Sequence, residues 1–215
     1  MWAKQGESVA RGHRASVEVC PGDVYFSADI ETDGPIPGPY SMLSLALVPA
    51  GRFDGERFYS STGSLGDAFY VELAPISSNF QSEALAVNGL DRNRLLEQGV
   101  APARAMRDAS EWIAERSQGG CPVLVAYPLS FDWSWLYWYF MHYTGSSPFK
   151  HSRCFDIKTA VAVKLGIPIA EAGRKGLPDF LQPTHAHTHH AIDDAIAQAE
   201  IFAKLFELED IDDEH

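Results

Sequence analysis

The 215-residue chain is 46% hydrophobic and 12% aromatic, ample for one sizeable core, and only 21% charged. No apolar run approaches the roughly 18 residues that a bilayer span needs. Residues 1–20 hold no apolar stretch resembling a signal peptide, so membrane-spanning and secreted readings are disfavoured. The net charge of −12 argues against a protein that holds long duplexes by a broad basic surface.

Cys20, Cys121 and Cys154 are widely spaced, and no CxxC pair suggests zinc or redox chemistry, which fits a reducing cytoplasm. Much of the negative charge is local. From Glu207 to His215 the chain carries six acids and no Lys or Arg, an acidic solvated tail. Residues 150–175 run the other way, with Lys150, Arg153, Lys158, Lys164, Arg174 and Lys175 against two acids. Such a segment is either a solvated face or a phosphate-contacting one.

Residues 1–22 mix Gly, Ser, Arg and Glu without periodicity and read as a flexible lead-in. Val24 to Glu31 then alternates as a strand, with Val24, Phe26, Ala28 and Ile30 on one face and Tyr25, Ser27, Asp29 and Glu31 on the other. A Gly/Pro loop over residues 32–39 leads to strands at Met42–Val48, Arg57–Thr62 and Phe69–Leu73, an opening β-meander. Glu83–Val87 suits a short helix, and Pro102–Arg116 starts at a proline with Ala105, Ala109, Trp112 and Ile113 at helical spacing. Val123–Tyr127 is a buried-type strand. An aromatic helix over Ser130–Tyr143 follows, then helices at Asp156–Leu165 and Ala191–Phe206. Strands first, then alternating helix and strand, predict a single α/β domain over residues 23–206, a mixed central β-sheet flanked by α-helices.

Three groups of residues carry chemistry. On a strand, residues two apart point the same way about 6.6 Å from each other. Asp29 and Glu31 can therefore face one cation, although an exposed strand end is the blander reading of two acids. Asp132 opens the aromatic helix, where an acid is also favoured by the helix dipole. Finally, residues 184–195 hold His185, His187, His189 and His190 ahead of Asp193 and Asp194. They match no closed zinc pattern and include no cysteine. A neutral imidazole near carboxylates suits deprotonation of water. Helical spacing leaves the pairing open between His189 with Asp193 and His190 with Asp194.

Asp29-Ile-Glu31-Thr32, Phe131-Asp132 and His189-(four residues)-Asp194 together resemble the three motifs of the DEDDh family of 3′-to-5′ exonucleases, which have an RNase H-like fold. The likeness runs from Val24 to Phe206 and includes Glu83–Leu90, similar to the segment that lies over the terminal nucleotides in such enzymes. It implies Asp29, Glu31, Asp132 and Asp194 as catalytic metal ligands and His189 as general base, the family spacing selecting Asp194 over Asp193. It also implies two divalent cations, Mg2+ or Mn2+, which together relieve charge on the phosphate and leaving group. Thr32 and Gly34 are substrate contacts by the same resemblance, with Val87 and Asn88 as wedges against the last bases. The expected substrate is a single-stranded 3′ end, RNA before DNA given the acidity, with nucleoside 5′-monophosphates released. Homodimerisation is common in the family and is an open expectation here.

Aromatics suited to base stacking cluster at Phe131, Trp133, Trp135, Tyr137, Trp138 and Tyr139, but six in nine residues must largely pack as core. Two rival readings stand beside the exoribonuclease. One is a DNA exonuclease of repair or proofreading, the other an inactive nucleic-acid-binding module on the same fold.

Overall fold

The computed structural model describes residues 20–61, 67–186 and 188–208. Residues 1–19 of the expected lead-in and residues 209–215 of the acidic tail lie outside the described residues. The sheet is built outward from β1 (Asp23–Thr32), which pairs antiparallel with β2 (Met42–Phe53) and parallel with β5 (Cys121–Ala126). β6 (Cys154–Asp156) extends the parallel side. β3 (Phe58–Ser60) and β4 (Phe69–Glu72) both pair with β2, giving the order β3-β2-β1-β5-β6 with β4 beside β3 on the same edge. The opening strands are therefore not a simple meander, because β4 returns to β2 instead of continuing from β3. β2 is long enough, at 12 residues, to carry both partners end to end.

Both faces of β1 are covered, and its alternation sorts its side chains between two cores. Val24, Phe26, Ala28 and Ile30 join the cluster under α3 (Pro102–Ser117) and α4 (Leu129–Thr144). Tyr25 joins the opposite cluster, under α5 (Ile157–Leu165) and α6 (Ala191–Glu207). The helices form as their spacing predicts: Ala105, Ala109 and Ile113 of α3 are buried, as are Ile196, Ala199 and Ala203 of α6. Trp135 and Tyr139 of α4 are fully buried, and Phe131 is 40% exposed, so most of the aromatic helix is core.

Two short helices cover one end of the sheet, α1 (Ser82–Asn88) and α2 (Arg92–Gln98). Sequence spacing does not reveal α2, five of whose seven residues have charged or amide side chains; its start is fixed by Asp91, which accepts from Asn93 N and Arg94 N. Cys20 and Cys121 form a disulfide with Cα atoms 5.7 Å apart across 101 residues, a pairing that their spacing gives no reason to expect. Among the described residues no helix is long and apolar enough to cross a membrane.

Candidate active site

The alternation that sends Phe26 and Ile30 to one core sends Asp29 and Glu31 to the face of α6. Asp194 lies in the first turn of α6 and is only 1% exposed, with its backbone N–H bonded to His190 O at 3.1 Å. Carboxylate oxygens of Asp29, Glu31 and Asp194 lie within 4.8 Å of one another. Asp132, in the first turn of α4 and 6% exposed, stands outside this trio but raises the pKa of both strand acids by its charge. The four acids thus come from β1, α4 and α6, with the sheet as their common floor.

Such crowding is costly without a cation. Burial pushes Asp29 well above the usual carboxylate range, and the charges of Asp132, Asp194 and Glu31 add to the effect. Burial followed by repulsion from Asp194 and Asp132 pushes Glu31 up to about 8. Asp132 is raised by burial to about 7, although its own backbone N–H, Arg174 and the Ile30 backbone favour its charged form. A converging set of hard oxygen donors fits magnesium or manganese.

Two further side chains hold Asp29. The Gln198 amide, fully buried one turn beyond Asp194, donates to Asp29 Oδ1 at 2.8 Å. Arg174 Nη2 lies 3.9 Å from Asp29 Oδ1, and its Nη1 lies 4.0 Å from Asp194 Oδ1. The same guanidinium donates to the Tyr127 carbonyl at 3.3 Å and sits over the Tyr127 ring. Gln198 escapes sequence reasoning, yet a signal exists: it is an amide four residues after Asp194, on an otherwise apolar stretch of α6. Arg174 is visible in the sequence only as one of six basic residues. Those six do not form one track: Lys150 and Arg153 line a cavity of about 830 Å³ beside α3 and α4 that none of the four acids lines, whereas Arg174 meets the acids.

The histidine segment separates its members. His190 stacks on Tyr70 of β4, with ring centroids 5.2 Å apart. His189 is exposed and has a left-handed backbone, φ 57°, a conformation that costs a non-glycine residue energy. Thr188 ties the segment to the helix, its N–H to Asp194 Oδ1 at 3.2 Å and its hydroxyl to Asp193 Oδ2 at 2.8 Å. Asp193 is thereby engaged away from the acid trio. Further back, Glu200 accepts from the Thr184 backbone and hydroxyl and lies 2.6 Å from His185 Nδ1. His187 lies outside the described residues.

The expected substrate contacts gather at the C-terminal end of β1. The Thr32 hydroxyl donates to Gly34 O at 2.9 Å, and a Cβ on Gly34 would collide with the Tyr40 ring. Asn88 donates from its amide to Thr32 O at 3.0 Å and accepts from Leu90 N–H at 3.0 Å, so it fastens α1 over the strand end. Val87, one residue earlier, is 58% exposed. Beneath them Asp33, fully buried, pairs with Arg92 Nε at 2.9 Å and accepts from Ser41 N–H at 2.5 Å. Phe80 lies under the Arg92 guanidinium and is 52% exposed.

Solved structures share this arrangement of sheet and helices. The chain is similar to a 3′-exonuclease solved for its 3′-end specific recognition of histone mRNA stem-loop, with a TM-score of 0.66 and 12% identity over 90% of this chain and 67% of that one. It is similar also to the nuclease domain of 3'hExo, a DEDDh family member, solved bound to rAMP, with a TM-score of 0.64 and 10% identity over 87% of this chain and 92% of that one. The fold is therefore that of the RNase H-like DEDDh exonucleases, as the three motifs imply. In sequence, the chain is 33% identical over 190 residues to the 3'-5' DNA exonuclease Cap18 of Escherichia coli, covering 86% of this chain and 93% of that protein. Residues 26–206 match the 3'-5' exoribonuclease Rv2179c-like domain, and the chain belongs to that family of 3′-to-5′ exonucleases.

Proposed function

We propose that this exonuclease removes nucleotides from single-stranded 3′ ends, RNA in preference to DNA, with Asp29, Glu31, Asp132 and Asp194 holding divalent cations and His189 as general base. The observation that carries the reading is the convergence of the Asp29, Glu31 and Asp194 oxygens within 4.8 Å. Bound Mg2+ or Mn2+ would neutralise the non-bridging phosphate oxygens and assist the leaving group. The chain itself does the rest. Thr32, Gly34 and Val87, at the end of β1 and on α1, border the place where the terminal nucleotide would lie, and exposed Phe80 and Phe131 offer faces for unpaired bases. His189, exposed beside α6, would take the proton from the attacking water.

The description of the family as exoribonucleases favours RNA. The second reading, DNA as substrate, is favoured by the relative that aligns over 93% of its length, which is named a DNA exonuclease. A matched pair of 5′-labelled RNA and DNA oligonucleotides, incubated with Mg2+, Mn2+ or EDTA beside an Asp29→Ala control, separates the two. The RNA reading expects a metal-dependent ladder shortening from the 3′ end, faster on RNA and absent in the control. Faster shortening of DNA reverses the preference. Intact oligonucleotides of both kinds in every metal sink the generic single-strand reading.

A further inference from the structure

Arg174 has a place at the acid cluster that neither substrate contact nor the four-acid pattern assigns. It lies on the connection between α5 and α6, in a 3-10 turn at Arg174–Gly176, and reaches back over the sheet end. Its two terminal nitrogens divide between two acids of different elements, Asp29 of β1 at 3.9 Å and Asp194 of α6 at 4.0 Å. Those separations are too long for hydrogen bonds but short for charge attraction in a half-buried site. Tyr127 also seats the guanidinium, through its carbonyl oxygen at 3.3 Å and its ring. The group therefore offers the acids its charge from about 4 Å, outside hydrogen-bond distance of either carboxylate.

We propose that Arg174 is the counter-cation of the acid cluster in the metal-free enzyme, and that it competes with the divalent cations for the charge of Asp29 and Asp194. The inference rests on the reading of those acids as metal ligands. A guanidinium about 4 Å from two carboxylates offsets their mutual repulsion, so the folded state tolerates the cluster before loading. The same positive charge repels an incoming cation, so loading costs more with Arg174 present than without it. Tyr127 gives the guanidinium a seat independent of the acids, from which it need move little as the charge balance changes.

The test is binding of Mn2+ to the full chain without nucleic acid, measured by calorimetry or by loss of the free-ion resonance, with thermal melting in EDTA at the same pH. Arg174→Gln removes the charge, and Arg174→Lys retains it. The expected result is a lower melting temperature for Arg174→Gln in EDTA together with tighter Mn2+ binding, by roughly 3- to 10-fold. Arg174→Lys should return both values toward those of the parent. Damage to the fold alone would weaken Mn2+ binding, the opposite sign. Unchanged melting and unchanged affinity overturn the proposal, as does weaker binding in Arg174→Gln. If no protein binds Mn2+ but Arg174→Gln still melts lower, the metal-ligand reading fails and the counter-cation role stands.

Discussion

The Gln198 amide donates to Asp29 Oδ1 at 2.8 Å, joining α6 to the central strand across 169 residues of sequence. Because Asp194 lies one turn earlier on the same helix, one rigid element supplies both an acid and the group that aims another. Carboxylates aimed by a hydrogen bond bind cations better than free ones, and losing such a partner typically costs 10- to 100-fold in affinity. Gln198→Ala should therefore weaken Mn2+ binding by about 10-fold. Calorimetric titration of the variant checks this; an unchanged Kd removes Gln198 from the site.

Proton linkage gives the second prediction. Asp29, Glu31 and Asp132 all have raised folded-state pKa values, Glu31 reaching about 8 and Asp132 about 7. The folded chain then binds more protons than the unfolded one between the ordinary carboxylate range and about 8. Stability of the metal-free protein must fall as pH rises through that window. The melting temperature in EDTA is expected to fall by roughly 10 °C or more from pH 5 to pH 8. Saturating Mg2+ should abolish most of it, and Asp29→Asn should reduce it. A flat or rising profile in EDTA would show that the acids ionise without penalty.

For the histidines, the two neighbours should behave differently. His189→Ala is expected to slow single-turnover hydrolysis about 100- to 10,000-fold while leaving Mn2+ affinity in place. His190→Ala removes a ring stacked on Tyr70 and should cost melting temperature more than rate. Equal loss of rate in both variants would point to the segment as a structural unit and away from a proton-transfer role for His189.

The two adjacent aspartates of α6 separate in the same way. Asp194→Asn should abolish metal-dependent hydrolysis, because it removes one of the three converging carboxylates. Asp193→Asn replaces the acceptor for the Thr188 hydroxyl with an amide oxygen, and should slow hydrolysis less than 10-fold, the scale of a single neutral hydrogen bond. Parallel rate measurements on the two variants decide between them.

Arg92 and Asp33 form a buried pair under the C-terminal end of β1, with side chains 9% and 0% exposed. Removing one partner leaves a buried charge, which typically costs 3–5 kcal/mol. Ser41 N–H still bonds Asp33, so Arg92→Ala should fall at the low end, about 3 kcal/mol, by denaturant titration. A loss below 1 kcal/mol would mean that solvent reaches Asp33 as readily as its exposure denies.

Much of this was legible in residue order. The alternation of β1 places Asp29 and Glu31 on one face, and the apolar stripe of α6 sets which side of the helix meets the sheet. Periodicity could not choose between Asp193 and Asp194; the family spacing chose Asp194, and in the fold that residue is buried with the trio while Asp193 turns to Thr188. Residues acting through space were hidden. Gln198 and Arg174 meet Asp29 only once α6 and its preceding connection fold back over β1, and no local pattern marks an amide or a guanidinium for that place. α2 was hidden for a different reason: it is seven residues long with a single buried side chain, Leu95, so it shows no periodic stripe.

The acids are also far apart in the order of synthesis. Asp29 and Glu31 emerge from the ribosome early, and Asp194 comes only with the last described helix. Domains generally fold as units, and α6 supplies much of the core on one face of the sheet, so the three carboxylates converge only once that helix has been made. A product released before Ala191 would lack that core face and the third carboxylate together, so one helix completes both the fold and the acid cluster.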